Sequence, residues 1–511
     1  MVNITDYVLC LPLILLALFA AGCLVMDRMF PPEWKWLNAV TALVGIIFSS
    51  GGVAKIQFTQ AQLALSGIRL EVGFHHAIVI DSFAFFFYYL ILAAGALSVL
   101  IMMRQTPPEH APRGLFYAAI MCALMGLMCM VSGFHLGLIF AGVVVSEAAG
   151  YLLVRTLCKE EPGRSACRRY MVWKAFSCGL LGVGFWLLRW KTGSAGLHEV
   201  RQAATKVIAG ETADSHHMIM AGFALIAAGV ILRIAAIPFH QWNRGADEQV
   251  QNFTQPLQNG VTGLLSTAFP VAAWAMAMHI FLWGFYPLRF NYSPWLVWAG
   301  IALLTVGTLA ILLQSDLRRL VAYATLTTAG FMLLALAVLA ASDPFSPNVT
   351  NGLKAVIVYL PAIVAMNLGA LAAITLLRRQ GIGGEIADLR GAFGRASLLC
   401  GLLLISLLSI LGIPPLAGFY GRYFAYLSVS GSGHRMLAGF GIAYALLGAL
   451  CMVRILKAMF SHAGSGGSAI SVRSGISGAD AAVFVCTAVT VVAGVHPQFL
   501  IQLANWAMHL T

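Results

Sequence analysis

The sequence predicts an all-α, polytopic membrane protein, and three observations carry that expectation. Of its 511 residues, 60% are hydrophobic and only 10% are charged, whereas soluble domains carry roughly 25% charged residues. Apolar runs of about 20 residues, the length of one helical bilayer crossing, recur from end to end. The runs are also continuous, whereas an outer-membrane barrel would show short alternating segments.

Hydropathy over windows of about 19 residues places about fourteen spans. They fall at 7–26, 37–54, 77–103, 115–132, 135–157, 168–190, 216–238, 258–284, 294–313, 318–341, 353–377, 396–430, 436–460 and 479–503. The first follows an N-terminus with no basic region and no small-residue cleavage site, so it reads as a span and not a cleaved signal. The third opens on Asp81 and is densely aromatic (DSFAFFFYYL), which places Asp81 at the interface. The fifth carries Glu147, and the sixth carries Lys174 one turn behind the basic pair Arg168-Arg169. The seventh holds Arg233 after an uncharged run from Met218 to Leu232 and continues into IAAIPFHQW, which includes His240. The eighth, from Val261 onward, has no charge before His279.

The twelfth span is the least like a plain anchor, because LSILGIPPLAGFYGRYF puts two prolines, three glycines and Arg422 inside a run with no other charge from Ala396 to Ser430. Proline and glycine at that depth predict a broken helix whose freed backbone groups face a cavity. IAAIPFHQW and LGIPPLAGF stand five spans apart, each beside an arginine, which is the pattern of an inverted repeat. No loop is long enough to be a domain; 191–215 reads as a short surface helix and 461–478 as a flexible Gly/Ser linker.

The net charge of +12, from 31 Lys+Arg against 19 Asp+Glu, assigns to cytoplasmic loops and not to nucleic-acid binding. With the N-terminus outside, the cytoplasmic connections hold roughly twice as many basic residues as the opposite side. The ten cysteines are scattered without a CxxC pair, which argues against iron–sulfur ligation, structural zinc and a disulfide framework. The pairs His75-His76 and His216-His217 lack the spacing of a helical metal site. There is no phosphate-cradling GxxxxGK[ST] loop, no dinucleotide fingerprint and no haem-ligand pattern. The chain is therefore expected to hold no cofactor, and any chemistry falls to buried polar groups and to partners.

An ionisable residue at the bilayer centre costs about 2.5–3.5 kcal/mol on insertion scales, which makes each one a functional candidate. Glu147 is the strongest, since a carboxylate in such an apolar stretch is suited to proton exchange. Lys174 either faces Glu147 from the next helix or snorkels to the interface. Arg233 lies deeper, and His240 and His279 are histidines able to relay protons.

Over roughly residues 78–460 the chain resembles the antiporter-like membrane subunits of respiratory complex I, most closely the N-type subunits of bacterial NADH:quinone oxidoreductase. The matching pieces are Asp81-Ser82-Phe83, Glu147, Arg169-Tyr170, Lys191-Thr192-Gly193, Ile237-Pro238-Phe239-His240-Gln241-Trp242, Asp316-Leu317-Arg318-Arg319-Leu320-Val321-Ala322-Tyr323, Met366-Asn367-Leu368-Gly369, Gly412-Ile413-Pro414-Pro415-Leu416-Ala417-Gly418-Phe419 and the Arg454 segment. The resemblance implies fourteen helices with two inverted five-helix repeats, helices 4–8 over 115–284 and helices 9–13 over 294–460. Residues 1–114 would hold helices 1–3, and 461–511 a linker and helix 14, with the seventh and twelfth helices broken at the proline motifs.

The resemblance further implies a bacterial inner-membrane subunit, partnered by other membrane subunits and the lipid bilayer. Such a subunit contributes a buried charged axis for proton translocation coupled to quinone reduction elsewhere, with no redox cofactor of its own. Residue by residue, Glu147 matches the family's fifth-helix glutamate, Arg233 its seventh-helix lysine and Arg422 its twelfth-helix lysine, with Lys174 and His240 as lesser members of the axis. The departures are that both lysines are arginine here, that Ser266 falls about where an eighth-helix lysine is expected, and that Thr328 replaces a histidine before Gly330. The loop after Trp242 (NRGADEQVQNFTQP) also departs from the usual pattern. Arginine effectively never gives up its proton. Two alternatives therefore stand beside the first expectation: a subunit of an Mrp-type cation/proton antiporter or membrane-bound hydrogenase, and a structural subunit that does not pump.

Overall fold

The structure, a computed structural model, describes residues 4–65, 72–74, 76–103, 113–157, 163–210, 213–234, 255–341, 347–461 and 477–508. The first three crossings are α1 (Ile4–Leu9) continuing as α2 (Leu11–Met29), then α3 (Leu37–Leu65) and α4 (Ser82–Met102). A short antiparallel hairpin, Val72–Gly73 with Ile78–Val79, precedes α4 and takes the place of the first residues expected in the third span. Asp81 then sets the start of α4: its carboxylate accepts from the Ala84 N–H at 2.8 Å, satisfying one of the amides that open a helix.

Next come α5 (Arg113–Ser132), α6 (Leu136–Leu157), α7 (Gly163–Thr192), the short α8 (Leu197–Ile208) and α9 (Ala213–Ile234). Helix α8 is the surface helix expected in 191–215, and it buries Leu197, Val200, Ala204 and Val207 on one side. Helix α10 (Gln255–Met278) runs into a π-helical turn, His279–Gly284. The second half consists of α11 (Arg289–Leu313), α12 (Leu317–Ala341), α13 (Pro347–Arg379), the short α14 (Ala392–Arg395), α15 (Ser397–Ile410), α16 (Ala417–Gly431) and α17 (Arg435–Phe460). Helices α18 (Gly478–Val495) and α19 (Pro497–Met508) close the described chain.

Among the described residues, 13 helices are long and apolar enough to cross a membrane. The expected twelfth span is two pieces, α15 and α16, each shorter than the helices counted among those 13. The fourteenth is shorter than the expected 479–503. Pro497, which has no N–H to continue the helical ladder, stands at the first position of a new helix after Val495. Helices α10, α12 and α13 are buried almost throughout, with α10 packed against α4 on one side and α13 on the other. The expected linker falls mostly on 462–476, and the proline motif at 237–242 with His240 also lies outside the described residues.

Candidate functional site

Close helix crossings at small residues assemble the first charged centre. Gly126 and Gly142 let the backbones of α5 and α6 touch, because a Cβ on either would overlap the other helix's main chain. Helices α7 and α9 meet in the same way at Gly184 and Gly229, where the Ser177 hydroxyl donates to the Gly229 carbonyl at 3.0 Å. These crossings carry Glu147 on α6, Lys174 on α7 and Arg233 on α9 to one point.

There a single carboxylate oxygen serves two cations. Arg233 Nη1 lies 2.7 Å from Glu147 Oε1, and Lys174 Nζ lies 3.3 Å from the same atom. The side chains are 11%, 9% and 2% exposed for Glu147, Lys174 and Arg233 respectively, so all three are largely out of solvent. Lys174 therefore faces Glu147 and does not snorkel. Its ammonium also lies 5.8 Å from the ring centres of both Tyr170 and Phe269, within cation–π range. Glu147 Oε2 and Arg233 Nε and Nη2 are buried without a hydrogen-bond partner among the described residues. With all three groups ionised the centre carries one surplus positive charge.

The second charged place is the break between α15 and α16. A helix leaves its last carbonyls without intrahelical partners, and at membrane depth water cannot serve them. Gly412, at φ 73°, turns the chain left-handed after α15. That turn lets the Gly412 N–H reach the Ser409 carbonyl at 2.9 Å and the Ile413 N–H reach the Leu408 carbonyl at 3.0 Å. The Ile410 and Leu411 carbonyls are left, and Arg422 takes both: Nη2 donates to the Ile410 carbonyl at 2.7 Å and Nη1 to the Leu411 carbonyl at 2.5 Å. A cation also suits the negative end of the helix dipole.

Arg422 is held in turn. Its Nε donates to the Tyr359 hydroxyl at 3.0 Å, and the Thr328 hydroxyl lies 3.4 Å from that same oxygen. Thr328 donates to the Ala324 carbonyl one turn back at 2.9 Å. Gly421 has to be small because a Cβ there would overlap the Tyr359 ring. Arg422 and Thr328, where the resemblance leads one to expect a lysine and a histidine, thus sit in one hydrogen-bonded network that ends on backbone carbonyls.

Residues 132–448 match the family described as "NADH:quinone oxidoreductase/Mrp antiporter, TM". The chain belongs to this family. Among its relatives, NADH-quinone oxidoreductase subunit N 1 of Koribacter versatilis is 35% identical over 510 residues, covering 99% of this chain and 96% of the relative. Subunit N 2 of Solibacter usitatus is 29% identical over 509 residues, covering 99% and 98%. In fold, the chain is similar to a chain of respiratory complex I from Thermus thermophilus with bound Aureothin, at a TM-score of 0.69, 20% identity and coverage of 96% and 98%. It is also similar to a chain of the Mrp complex from Dietzia sp. DQ12-45-1b, at a TM-score of 0.75, 17% identity and coverage of 96% of both.

Within this antiporter-family chain a third polar cluster lies where the two halves meet, and sequence reasoning assigned it no role. Arg318, 1% exposed, reaches Asn259 Oδ1 at 3.5 Å and Asp316 Oδ2 at 4.0 Å. Arg378 also lies 3.8 Å from Asp316 Oδ2, and Asn259 Nδ2 donates to Thr375 Oγ1 at 2.8 Å. Asn259 lies in the second turn of α10, while Arg318 and Thr375 belong to α12 and α13, so this cluster ties the first half to the second. Arg318 was visible only as part of the Asp316–Tyr323 motif; Asn259, 59 residues away, offered no signal of its own.

Of the remaining candidates, Ser266 is buried on α10 and donates to the Gly263 carbonyl at 3.3 Å. His279 is buried in the π turn between the rings of Phe83 and Phe134, at 4.9 and 5.4 Å. Among the described residues no three His, Cys, Asp or Glu gather into a metal-binding group.

Proposed function

We propose that this chain is the N-type membrane subunit of a bacterial complex I, seated in the inner membrane with its N-terminus outside. In this reading the subunit binds no redox cofactor and handles protons while quinone is reduced elsewhere in the assembly. The observation that carries it is the buried Glu147 carboxylate, shared by two cations of unlike chemistry. Arg233 holds the carboxylate in place with a guanidinium, which does not serve as a proton donor, whereas an ammonium such as that of Lys174 can release a proton. Transfer from Lys174 Nζ to the carboxylate leaves amine, carboxylic acid and the Arg233 charge. Reprotonation of Lys174 and release from Glu147 complete a cycle in which one proton has moved. The first repeat, 115–284, supplies this centre in this reading; His240, expected on the same axis, lies outside the described residues.

A second reading concerns the second repeat, 294–460, and rests on Arg422. A guanidinium that closes a helix end and never deprotonates orders its surroundings without cycling charge. In this reading the second repeat frames the subunit, and proton exchange belongs to the first. The test uses the assembled complex in sealed vesicles, oxidising NADH with quinone, with proton uptake and electron flow measured together. Glu147→Gln should lower the protons moved per electron while the subunit still assembles. An unchanged ratio would remove Glu147 from the mechanism.

A further inference from the structure

Lys55 is the single formal charge on α3, a helix of 29 residues, yet it points away from the bundle. It shares an exposed stripe with Ile47, Phe48, Gly51 and Phe58, of which Ile47, Phe48 and Phe58 are 63%, 57% and 64% exposed. Charges within membrane spans nearly always pair or face a cavity. No carboxylate among the described residues pairs with Lys55.

Beside it a groove of about 430 Å³ runs between α2 and α3, walled by Leu11 and Leu15 on one side and Ile47 and Phe48 on the other. That size falls within the ~300–1,000 Å³ of small-molecule sites. Its floor is the α2–α3 crossing, where Ser49 Oγ donates to the Pro12 carbonyl at 3.0 Å and Gly52 packs against Pro12 and Leu15. Gly51 leaves it open, since a Cβ there would meet nothing within 4 Å.

Depth decides what fits. Gln60 donates to the Ile80 carbonyl at 2.8 Å, next to the Asp81 cap, so the end of the apolar stretch of α3 (Leu37–Leu63) lies level with the start of α4. Lys55 lies five residues below Gln60, ~7.5 Å along the helix axis. A lysine stem crosses that distance and delivers its ammonium to the headgroup level, leaving the apolar groove beneath. We propose that this groove is a phospholipid site: one acyl chain lies between α2 and α3, and the anionic phosphate sits on Lys55. A membrane helix from a partner subunit would instead have to bring a carboxylate to the outer edge of the leaflet.

The protein is purified in its native membrane assembly, and retained phospholipid is counted by native mass spectrometry and by lipid extraction. Lys55→Gln and Gly51→Leu, which removes the charge and fills the groove respectively, should each cost a single tightly held phospholipid per chain. Lys55→Arg should retain it. Retention unchanged in both loss variants overturns the proposal. So does efficient cross-linking of Gly51→Cys to another subunit, which would assign the groove to a protein helix.

Discussion

Arg233 donates to Glu147 Oε1 at 2.7 Å, closer than Lys174 at 3.3 Å to the same atom, so the fixed charge holds the carboxylate and the releasable one shares it. Removing the carboxylate leaves two cations facing each other in a nearly dry site, and breaking a buried pair costs about 3–5 kcal/mol. Glu147→Gln should therefore lower the thermal midpoint of the purified assembly. The double variant Glu147→Gln with Lys174→Met, which restores a single surplus charge, should recover much of it. The protons moved per electron should fall in both, and a double variant with the parent's ratio would show that neither group carries protons.

Lys174 and Arg233 answer differently to exchange of their head groups. Lys174→Arg keeps the charge but removes the one cation able to let a proton go, so the protons moved per electron should fall while assembly is kept. Arg233→Lys should retain pumping. If Lys174→Arg pumps as well as the parent, the lysine serves only as a counter-charge.

Arg422 closes the end of α15, so its loss strands the Ile410 and Leu411 carbonyls. A buried unsatisfied group costs about 1–3 kcal/mol, and Arg422→Met should destabilise the subunit by a few kcal/mol, read as a lower thermal midpoint or reduced assembly. Arg422→Lys, with fewer donors and no planar fork, should recover part of the stability. Its pumping ratio should match the parent; a changed ratio would place this break on the proton path.

Gly412 adopts φ 73° and lies against the Arg422 side chain. Gly412→Ala adds the cost of a left-handed non-glycine residue, roughly 1–2 kcal/mol, and pushes the guanidinium off its carbonyls. Stability should drop by more than for Gly439→Ala, where a Cβ would meet nothing. Equal effects would argue that the turn is not strained.

Asn259 joins the halves through Thr375 and Arg318. Asn259→Ala should cost about 1 kcal/mol for the lost hydrogen bond. Asn259→Ala and Thr375→Val together should cost less than the sum of the two single changes, a coupling measurable in a double-mutant cycle of thermal stability. Strict additivity would mean that the 2.8 Å contact contributes nothing.

Much of the architecture was legible because its signals are local. Apolar length set the crossings, Asp81 before an aromatic run set the start of α4, and Pro414, Pro415 and Gly412 located the break. Boundaries failed where a short-range feature competed with hydropathy, as at Pro497, which starts a new helix inside an expected span. The candidate site was half legible. Glu147 stood out because a carboxylate is expensive in an apolar run, but nothing near Lys174 in the chain says which way it points.

The sequence by itself determined that this is a helical membrane protein of the antiporter family, that one span breaks at Pro414-Pro415, and which charges lie at membrane depth. Hydropathy, proline and formal charge are properties of a residue and its immediate neighbours. Only the tertiary structure decided what those charges touch. Glu147 meets Lys174 27 positions away and Arg233 86 away, and Arg422 meets Tyr359 63 away, through contacts between helices. Crossings set by small residues fix those meetings, and they turned one arginine into a holder of a carboxylate and the other into the cap of a broken helix.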